Sequence, residues 1–152
     1  MKVKSKSKGG NELLYKIDEV AKECGLTKRS IRYYEEIGLI SPPERSEGGF
    51  RLYSDLHIER LKKIMNVRDV LGFSLQEVQE YMAISEAFEE FRLQYRENKE
   101  KMNEDERKEK LLGAEAILAQ QLQMIDEKLK KMNDIRDEMN EMYQRVKKAL
   151  EQ

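Results

Sequence analysis

The pattern of hydrophobic and polar positions predicts two short helices near the start of the chain. Apolar residues fall at helical intervals over residues 17–24, and a second amphipathic pattern covers 28–37. Gly25 permits a tight turn between them, Thr27 is a good residue to cap the second helix, and Gly38 ends it. Two short helices joined by a tight turn are typical of a helix-turn-helix.

The next stretch changes from helical spacing to the alternation of a strand. Pro42 and Pro43 prevent the helix from continuing, and Gly48 followed by Gly49 predicts a turn. Residues 50–53 then alternate between two faces, as a short strand does. A small hairpin, called the wing below, is therefore expected directly after the second helix.

Helical spacing returns after the wing. Ser54 can cap a helix that runs to about residue 71, and Ser74 with Glu77 has the spacing of a capping box for the helix that follows. Apolar residues then become sparse over residues 85–103. That stretch is consistent with either a structural connector or one wall of an effector pocket.

The last third of the chain predicts one long helix. It begins at another capping box, Asn103 with Glu106, and continues to residue 150. Apolar positions recur about every 3.5 residues, the spacing of a coiled-coil seam, with polar interruptions at Glu115 and Arg136. Because a lone helix cannot bury such a stripe, we expect a homodimer. The predicted dimerisation residues are Leu111, Leu118, Leu122, Ile125, Leu129, Met132, Met139, Tyr143, Val146 and Leu150.

Charge divides the chain into a basic part and an acidic part. The formal net charge is −1, but residues 1–72 carry about +4 and residues 73–152 about −5. The basic part contains the predicted helix-turn-helix, whose second helix carries Lys28, Arg29 and Arg32. Because the second helix of this motif enters the major groove, the sequence predicts a protein that binds double-stranded DNA.

Two motifs carry a resemblance to a known family. Residues 32–40 read RYYEEIGLI and residues 49–54 read GFRLYS. At this separation they closely resemble the MerR family of bacterial transcription regulators, and the likeness covers residues 14–82. It implies a mainly α fold, in which a winged helix-turn-helix precedes a long C-terminal dimerisation helix that pairs with its partner as an antiparallel coiled coil.

The resemblance also suggests which residues contact DNA. Arg32 and Tyr33 match family positions that contact DNA, Arg45 and Arg51 match wing positions that hold phosphates, and Phe50 stands where the family usually has tyrosine. The predicted DNA-binding residues are Lys28, Arg29, Ser30, Arg32, Tyr33, Tyr34, Arg45, Arg51, Tyr53, Lys62, Lys63 and Arg68. The two tyrosines at 34 and 53 fit either the core or a phosphate contact. The last three residues fit either a phosphate contact or solvated surface charge.

The family implies a mechanism and partners. Its members occupy promoters whose over-long spacer keeps RNA polymerase from contacting both promoter elements, and they activate transcription by distorting that DNA. A homodimer on a palindromic promoter operator, RNA polymerase and a small-molecule effector are the partners implied. Two alternatives stay open, an architectural or bridging DNA binder that senses nothing and a simple repressor.

Candidate chemistry elsewhere in the chain is sparse. Metal sensors of the family place ligands at the start of the dimer helix and in a loop after it, whereas the single cysteine here is Cys24. We expect Cys24 to pack as a small hydrophobe and His57, the single histidine, to be an ordinary surface residue. With no catalytic constellation, we expect no metal, no cofactor and no enzyme activity, and any effector to be a non-metal compound.

Four segments follow from these patterns. Residues 1–13 are expected to form a flexible tail, 14–84 the DNA-binding domain, 85–103 a connecting helical segment and 104–152 the coiled-coil helix. No apolar run approaches the ~20 residues of a membrane span, and one cysteine fits a reducing compartment. A cytoplasmic protein associated with the nucleoid is expected.

Overall fold

The computed structural model describes residues 3–4 and 12–152, with side chains from residue 12 onward. The helices are α1 Ile17–Cys24, α2 Lys28–Glu36, α3 Asp55–Leu71, α4 Leu75–Asn98 and α5 Glu104–Leu150. The strands are β1 Val3–Lys4, β2 Leu13–Lys16, β3 Glu44–Arg45 and β4 Arg51–Tyr53. The mainly α fold class, with a helix-turn-helix, a wing and a long C-terminal helix, is confirmed. Most of the predicted tail over residues 1–13 lies outside the described residues.

The chain divides into two compact units, the first ending at Gln79 and the second beginning at Glu80. In the first unit the strands form an antiparallel sheet in the order β1-β2-β4-β3. Tyr15 pairs with Tyr53 across β2 and β4, and Arg45 pairs with Arg51 across β3 and β4. The wing is therefore the β3–β4 hairpin. Strand β2 pairs with β4 of the wing, and its last residue, Lys16, directly precedes α1.

Local signals explain why α1 and α2 form a helix-turn-helix. Gly25 adopts a left-handed backbone with φ of 65°, which favours glycine and ends α1. The Thr27 hydroxyl accepts a hydrogen bond from the Ser30 N–H at 3.1 Å, which caps α2. Gly38 follows α2 with φ of 76° and turns the chain toward the wing.

The core of the first unit lies among α1, α2, α3 and β4. Its fully buried side chains include Val20 of α1, Ile31 of α2, Tyr53 of β4 and Leu61 and Ile64 of α3. Burying an aliphatic side chain of this size contributes about 1.5–3 kcal/mol. The same packing leaves the opposite, basic face of α2 in solvent.

The second unit contains the remainder of α4 and the whole of α5. Residues 85–98 continue α4 without a break, so the sparsely apolar stretch does not begin a separate element. A 3₁₀ turn at Lys99–Lys101 precedes α5, whose start is capped by the predicted Asn103–Glu106 box. Across the unit, Gln121 Nε2 donates to Ser85 Oγ at 2.5 Å. In the described part of the chain, no helix is both long enough and apolar enough to cross a membrane.

Candidate nucleic-acid interface

The solvent-facing side of α2 brings together four of the predicted DNA-binding residues. Arg29, Ser30, Arg32 and Tyr33 border one surface depression of about 500 Å³, together with Glu36. Tyr33 is 47% exposed although it is a large aromatic residue. This face offers two guanidinium groups and a phenol on the second helix of the helix-turn-helix, which in this motif enters the major groove.

A second depression of about 240 Å³ adjoins the first and shares Arg32 with it. Lys16 and Arg51 also line it, so three cations meet where α1, α2 and the wing converge. Lys16 Nζ lies 5.7 Å from the ring centroid of Phe50, which is 63% exposed at the wing. Lys16 was not among the predicted DNA-binding residues, although a lysine directly before the first residue of α1 was a usable signal.

The Arg51 side chain is held by an acidic residue of the same chain. Its Nε donates to Glu35 Oε2 at 2.8 Å, and the two side chains are 29% and 16% exposed. The pair joins β4 of the wing to the last turn of α2. Arg51 therefore positions the wing as well as contributing charge.

Arg45, on the outer strand of the wing, has a different setting. Its Nη1 donates to the Gly49 carbonyl at 3.0 Å, and the residue is exposed. Gly49 has φ of 81°, a left-handed turn conformation that a side chain would strain. The turn thus orients the Arg45 guanidinium without an acidic partner among the described contacts.

Tyr34 and Tyr53, which fit either the core or a phosphate contact, both lie in the core. Tyr34 is 4% exposed, and its hydroxyl accepts a hydrogen bond from Arg68 Nη1 at 2.8 Å. Tyr53 is 0% exposed, and among the described residues its buried hydroxyl has no hydrogen-bond partner. Desolvation raises the pKa of Tyr53, and the Glu35 carboxylate raises it further.

Two predicted contact lysines are engaged in ion pairs. Lys28 pairs with Asp18 of α1, and this hydrogen bond lowers the pKa of the Asp18 carboxyl. Lys62 Nζ lies 3.0 Å from Glu23 Oε1, a hydrogen bond that raises the pKa of Lys62. Lys63, the next residue, is exposed. The two neighbouring lysines therefore differ in setting: Lys62 is held against α1 by an ion pair, whereas Lys63 faces solvent.

The prediction that His57 is an ordinary surface residue is wrong. Its ring is half-buried, lies edge-on to Tyr53 at 5.6 Å between centroids, and contacts Ser41 and Ser54 through its two nitrogens. Ser54 and His57 have the three-residue spacing of a capping box, which was the missed signal. The sequence did not reveal the contact with Ser41.

Cys24 is half-buried on α1, and desolvation raises the pKa of its thiol. Within the described residues, no group of three or more His, Cys, Asp or Glu side chains is placed to hold a metal ion.

The predicted dimerisation residues all lie on α5, where Ile125 is half-buried and the others are exposed. Leu122, Met132 and Val146 are 58%, 62% and 61% exposed. Ile135 and Met142, outside the predicted seam, are also exposed at 61% and 54%. The apolar face therefore widens in the C-terminal half of α5, beside the polar Arg136.

Two known bacterial regulators are similar to this chain in sequence. The chain is 44% identical over 140 residues to the HTH-type transcriptional regulator YfmP of Bacillus subtilis strain 168, covering 90% of this chain and 95% of that protein. It is 43% identical over 70 residues to the mercuric resistance operon regulatory protein of Bacillus cereus. That match covers 46% of this chain and 52% of the relative, so the likeness spans about half of each protein.

The fold has a solved counterpart in Listeria monocytogenes, described as a MerR family transcriptional regulator. The two structures have a TM-score of 0.55 and 23% sequence identity, over 85% of this chain and 83% of that one. Residues 15–84 match the family model described as MerR HTH family regulatory protein. The matched range contains α1, α2, the wing and α3. The chain therefore belongs to the MerR family of DNA-binding transcription regulators.

Proposed function

We propose that the protein binds a palindromic promoter operator as a homodimer and regulates transcription by distorting the DNA between its two half-sites. The observation that carries the proposal is the exposed apolar stripe of α5, a single helix of 47 residues in a chain that also carries the basic face of α2. At 1.5 Å per residue, α5 is about 70 Å long. A stripe of that length needs a partner.

A second copy of the chain is the partner that fits this stripe. The ten predicted residues recur at coiled-coil spacing. An antiparallel arrangement would place the two DNA-binding domains, residues 14–84 of each copy and called reading heads below, at opposite ends of the seam. Two-fold symmetry would then match two half-sites of a palindrome. The wider apolar face around Ile135 and Met142 supports additional contacts near the C-terminal end.

Each reading head would divide its contacts between bases and backbone. Arg29, Arg32 and Tyr33 would meet base edges in the major groove, while Arg45 and Arg51 of the wing would hold phosphates. Lys16 and Lys63 would add phosphate contacts on either side. Charge neutralisation at these phosphates predicts that binding weakens with salt.

Distortion would connect binding to transcription. Bending a site of this kind costs on the order of 1–6 kcal/mol, which phosphate contacts from two heads can offset. A bound state that shortens or untwists the spacer would let RNA polymerase contact both promoter elements. Such a regulator acts in the cytoplasm, on DNA of the nucleoid.

A non-metal effector would shift the dimer toward the distorting state, which requires only a few kcal/mol of differential binding. The second unit contains a depression of about 270 Å³ lined by Phe91, Tyr95, Met102 and Lys110. Phe91 and Tyr95 stack with ring centroids 5.5 Å apart. The lining also includes Glu90, Gln94 and Asn98. An aromatic compound of modest size that also carries polar groups suits it.

The test combines oligomeric state with operator binding. The DNA is a duplex enriched from a random library by the wild-type protein, called the selected duplex below. Wild type should sediment as a dimer and protect two half-sites, and scrambling one half-site should weaken binding at least tenfold. Leu122→Asp with Leu129→Asp should give monomers that lose this preference, whereas Glu127→Asp, on the same helix, should change neither. A dimeric double variant, or tight binding to one half-site, would refute the proposal.

A further inference from the structure

The two ends of the wing are bridged by one side chain from α3. Ser41 precedes the two prolines that lead into β3, and Ser54 follows β4. His57 Nδ1 lies 3.1 Å from the Ser54 backbone N, and His57 Nε2 lies 2.9 Å from the Ser41 carbonyl oxygen. The Ser54 hydroxyl lies 2.9 Å from Nδ1 and the Ser41 hydroxyl 3.1 Å from Nε2, so both serines also contact the ring through their side chains. The imidazole therefore closes the base of the hairpin.

The backbone groups on each side fix how the ring is protonated. A backbone N–H can only donate, so Nδ1 must accept from Ser54. A backbone carbonyl can only accept, so Nε2 must carry the proton that is donated to Ser41. The bridge requires one acceptor and one donor about as far apart as the two imidazole nitrogens. The buried ring of Tyr53, edge-on at 5.6 Å, orients the imidazole.

The other capping boxes of the chain clarify why a histidine is used here. Glu77 accepts from the Ser74 N–H at 3.0 Å, and Glu106 accepts from the Asn103 N–H at 3.0 Å. Those two helices need only an acceptor at the third position. A carboxylate at position 57 could cap α3 equally well and could accept from the nearby Ser41 hydroxyl. It could not donate to the Ser41 carbonyl, which would lose its partner and face a negative charge.

The strand that gains most from this bridge is β3. Within the described residues it pairs only with β4, through Glu44 with Leu52 and Arg45 with Arg51, whereas β4 also pairs with β2. Two residue pairs make a marginal hairpin in water. Arg51 is further held by Glu35, but Arg45 sits on the edge strand, whose entry is fixed at Ser41.

We propose that His57 is a positioning residue for DNA binding: it fastens the base of the wing and so places Arg45 against the DNA backbone. This rests on the proposed contact between the wing and phosphates. His57 need not touch DNA, because the Ser41 bridge sets where the edge strand starts. Its effect on binding is expressed through Arg45 rather than through Arg51.

Three substitutions in the full-length protein isolate the bridge. His57→Gln keeps an acceptor and a donor on one short side chain, whereas His57→Glu keeps only the acceptor. Leu56→Glu adds the same negative charge at the neighbouring position, which is 70% exposed and outside the bridge. Affinity for the selected duplex is measured by fluorescence anisotropy, and melting by circular dichroism confirms that each variant is folded at the assay temperature.

His57→Glu should bind about threefold to tenfold more weakly than Leu56→Glu, the range expected for one lost hydrogen bond, and His57→Gln should stay within about twofold of wild type. In an Arg45→Ala background the added loss from His57→Glu should shrink below about twofold, whereas in an Arg51→Ala background it should persist in full. Equal binding by His57→Glu and Leu56→Glu, or a full loss in the Arg45→Ala background, would overturn the inference. If Arg45→Ala alone binds like wild type, the proposed wing contact has failed, and the inference fails with it for that separate reason.

Discussion

Arg51 of the wing and Glu35 of α2 form a part-buried ion pair, with Nε 2.8 Å from Oε2. The residues are 16 positions apart along the chain, and their contact fixes the wing relative to α2. The proposed base contacts of α2 and phosphate contacts of the wing would thereby lie on one rigid surface, which is what precise positioning on DNA requires.

Removing the Glu35 charge should therefore weaken DNA binding, although losing a negative charge near DNA ordinarily strengthens it. Glu35→Gln should bind the selected duplex about threefold to tenfold more weakly, because the wing loses its charged partner. Glu36→Gln makes the same charge change on the exposed neighbour and should bind as well as wild type or better. Anisotropy titrations at one salt concentration compare the two, and a shift in the same direction for both would contradict this role of the pair.

Arg32 and Arg45 should differ in the kind of binding they support. Arg32→Ala should cost about 1–3 kcal/mol on the selected duplex and relax the preference at one base position. Arg45→Ala should weaken binding to all DNA sequences alike. It should also reduce by about one the steepness with which the logarithm of the binding constant falls with the logarithm of salt concentration, called the salt slope below. Salt titrations on selected and random duplexes separate these effects. Identical behaviour of the two variants would show that the division between base and phosphate contacts is wrong.

Lys62 and Lys63 provide a matched pair on α3. Lys62 donates to Glu23 at 3.0 Å, whereas Lys63 is exposed. Lys63→Ala should lower the salt slope of DNA binding, and Lys62→Ala should lower it less because its charge already faces Glu23. The slopes are obtained from binding constants measured over a range of salt concentrations. A larger fall for Lys62→Ala would reverse this assignment.

Cys24 should make the protein less stable at alkaline pH. Burial raises the pKa of the folded thiol, so between the unfolded and folded pKa values the folded state holds the extra proton. The contribution of the Cys24 thiol to the free energy of unfolding is fully present below the unfolded pKa of about 8.5 and falls as pH rises above that value. Urea unfolding at about pH 8 and about pH 10 should therefore show a larger alkaline loss for wild type than for Cys24→Ala.

Alkylation offers an independent check on the same thiol. At about pH 8.5, folded protein should react with iodoacetamide more slowly than urea-unfolded protein, since less thiolate is present. Equal rates would mean that burial does not control this cysteine.

Much of the reading head could be predicted because its signals are local. Thr27, Gly25 and Gly38 mark the limits of the two short helices through capping and left-handed turns, and the structure places them there. The wing followed from a glycine turn and strand alternation. Strand β2, Leu13–Lys16, was not predicted because four residues with one buried position carry too little pattern.

The contacts that organise the site could not be predicted, because they join distant positions. Tyr34 and Arg68 meet across 34 residues and His57 reaches Ser41 across 16, and no spacing rule relates such pairs. Charge alone made Lys62 and Lys63 equivalent, and only packing against α1 distinguishes them. Residues 85–103 were predicted to be a connecting helical segment, but the unbroken continuation of α4 through residue 98 was not predicted, because few apolar residues remain there to show the register.

The central claim, that the dimer regulates by distorting an over-long promoter spacer, is tested most directly by shortening that spacer. In vitro transcription is measured from the regulated promoter and from versions lacking one or two base pairs at the spacer centre, with and without the protein. Shortening should make transcription high in the absence of the protein, and added protein should no longer activate it. If the natural promoter has a spacer of ordinary length and the protein only blocks polymerase, the distortion mechanism is wrong and the protein is a simple repressor.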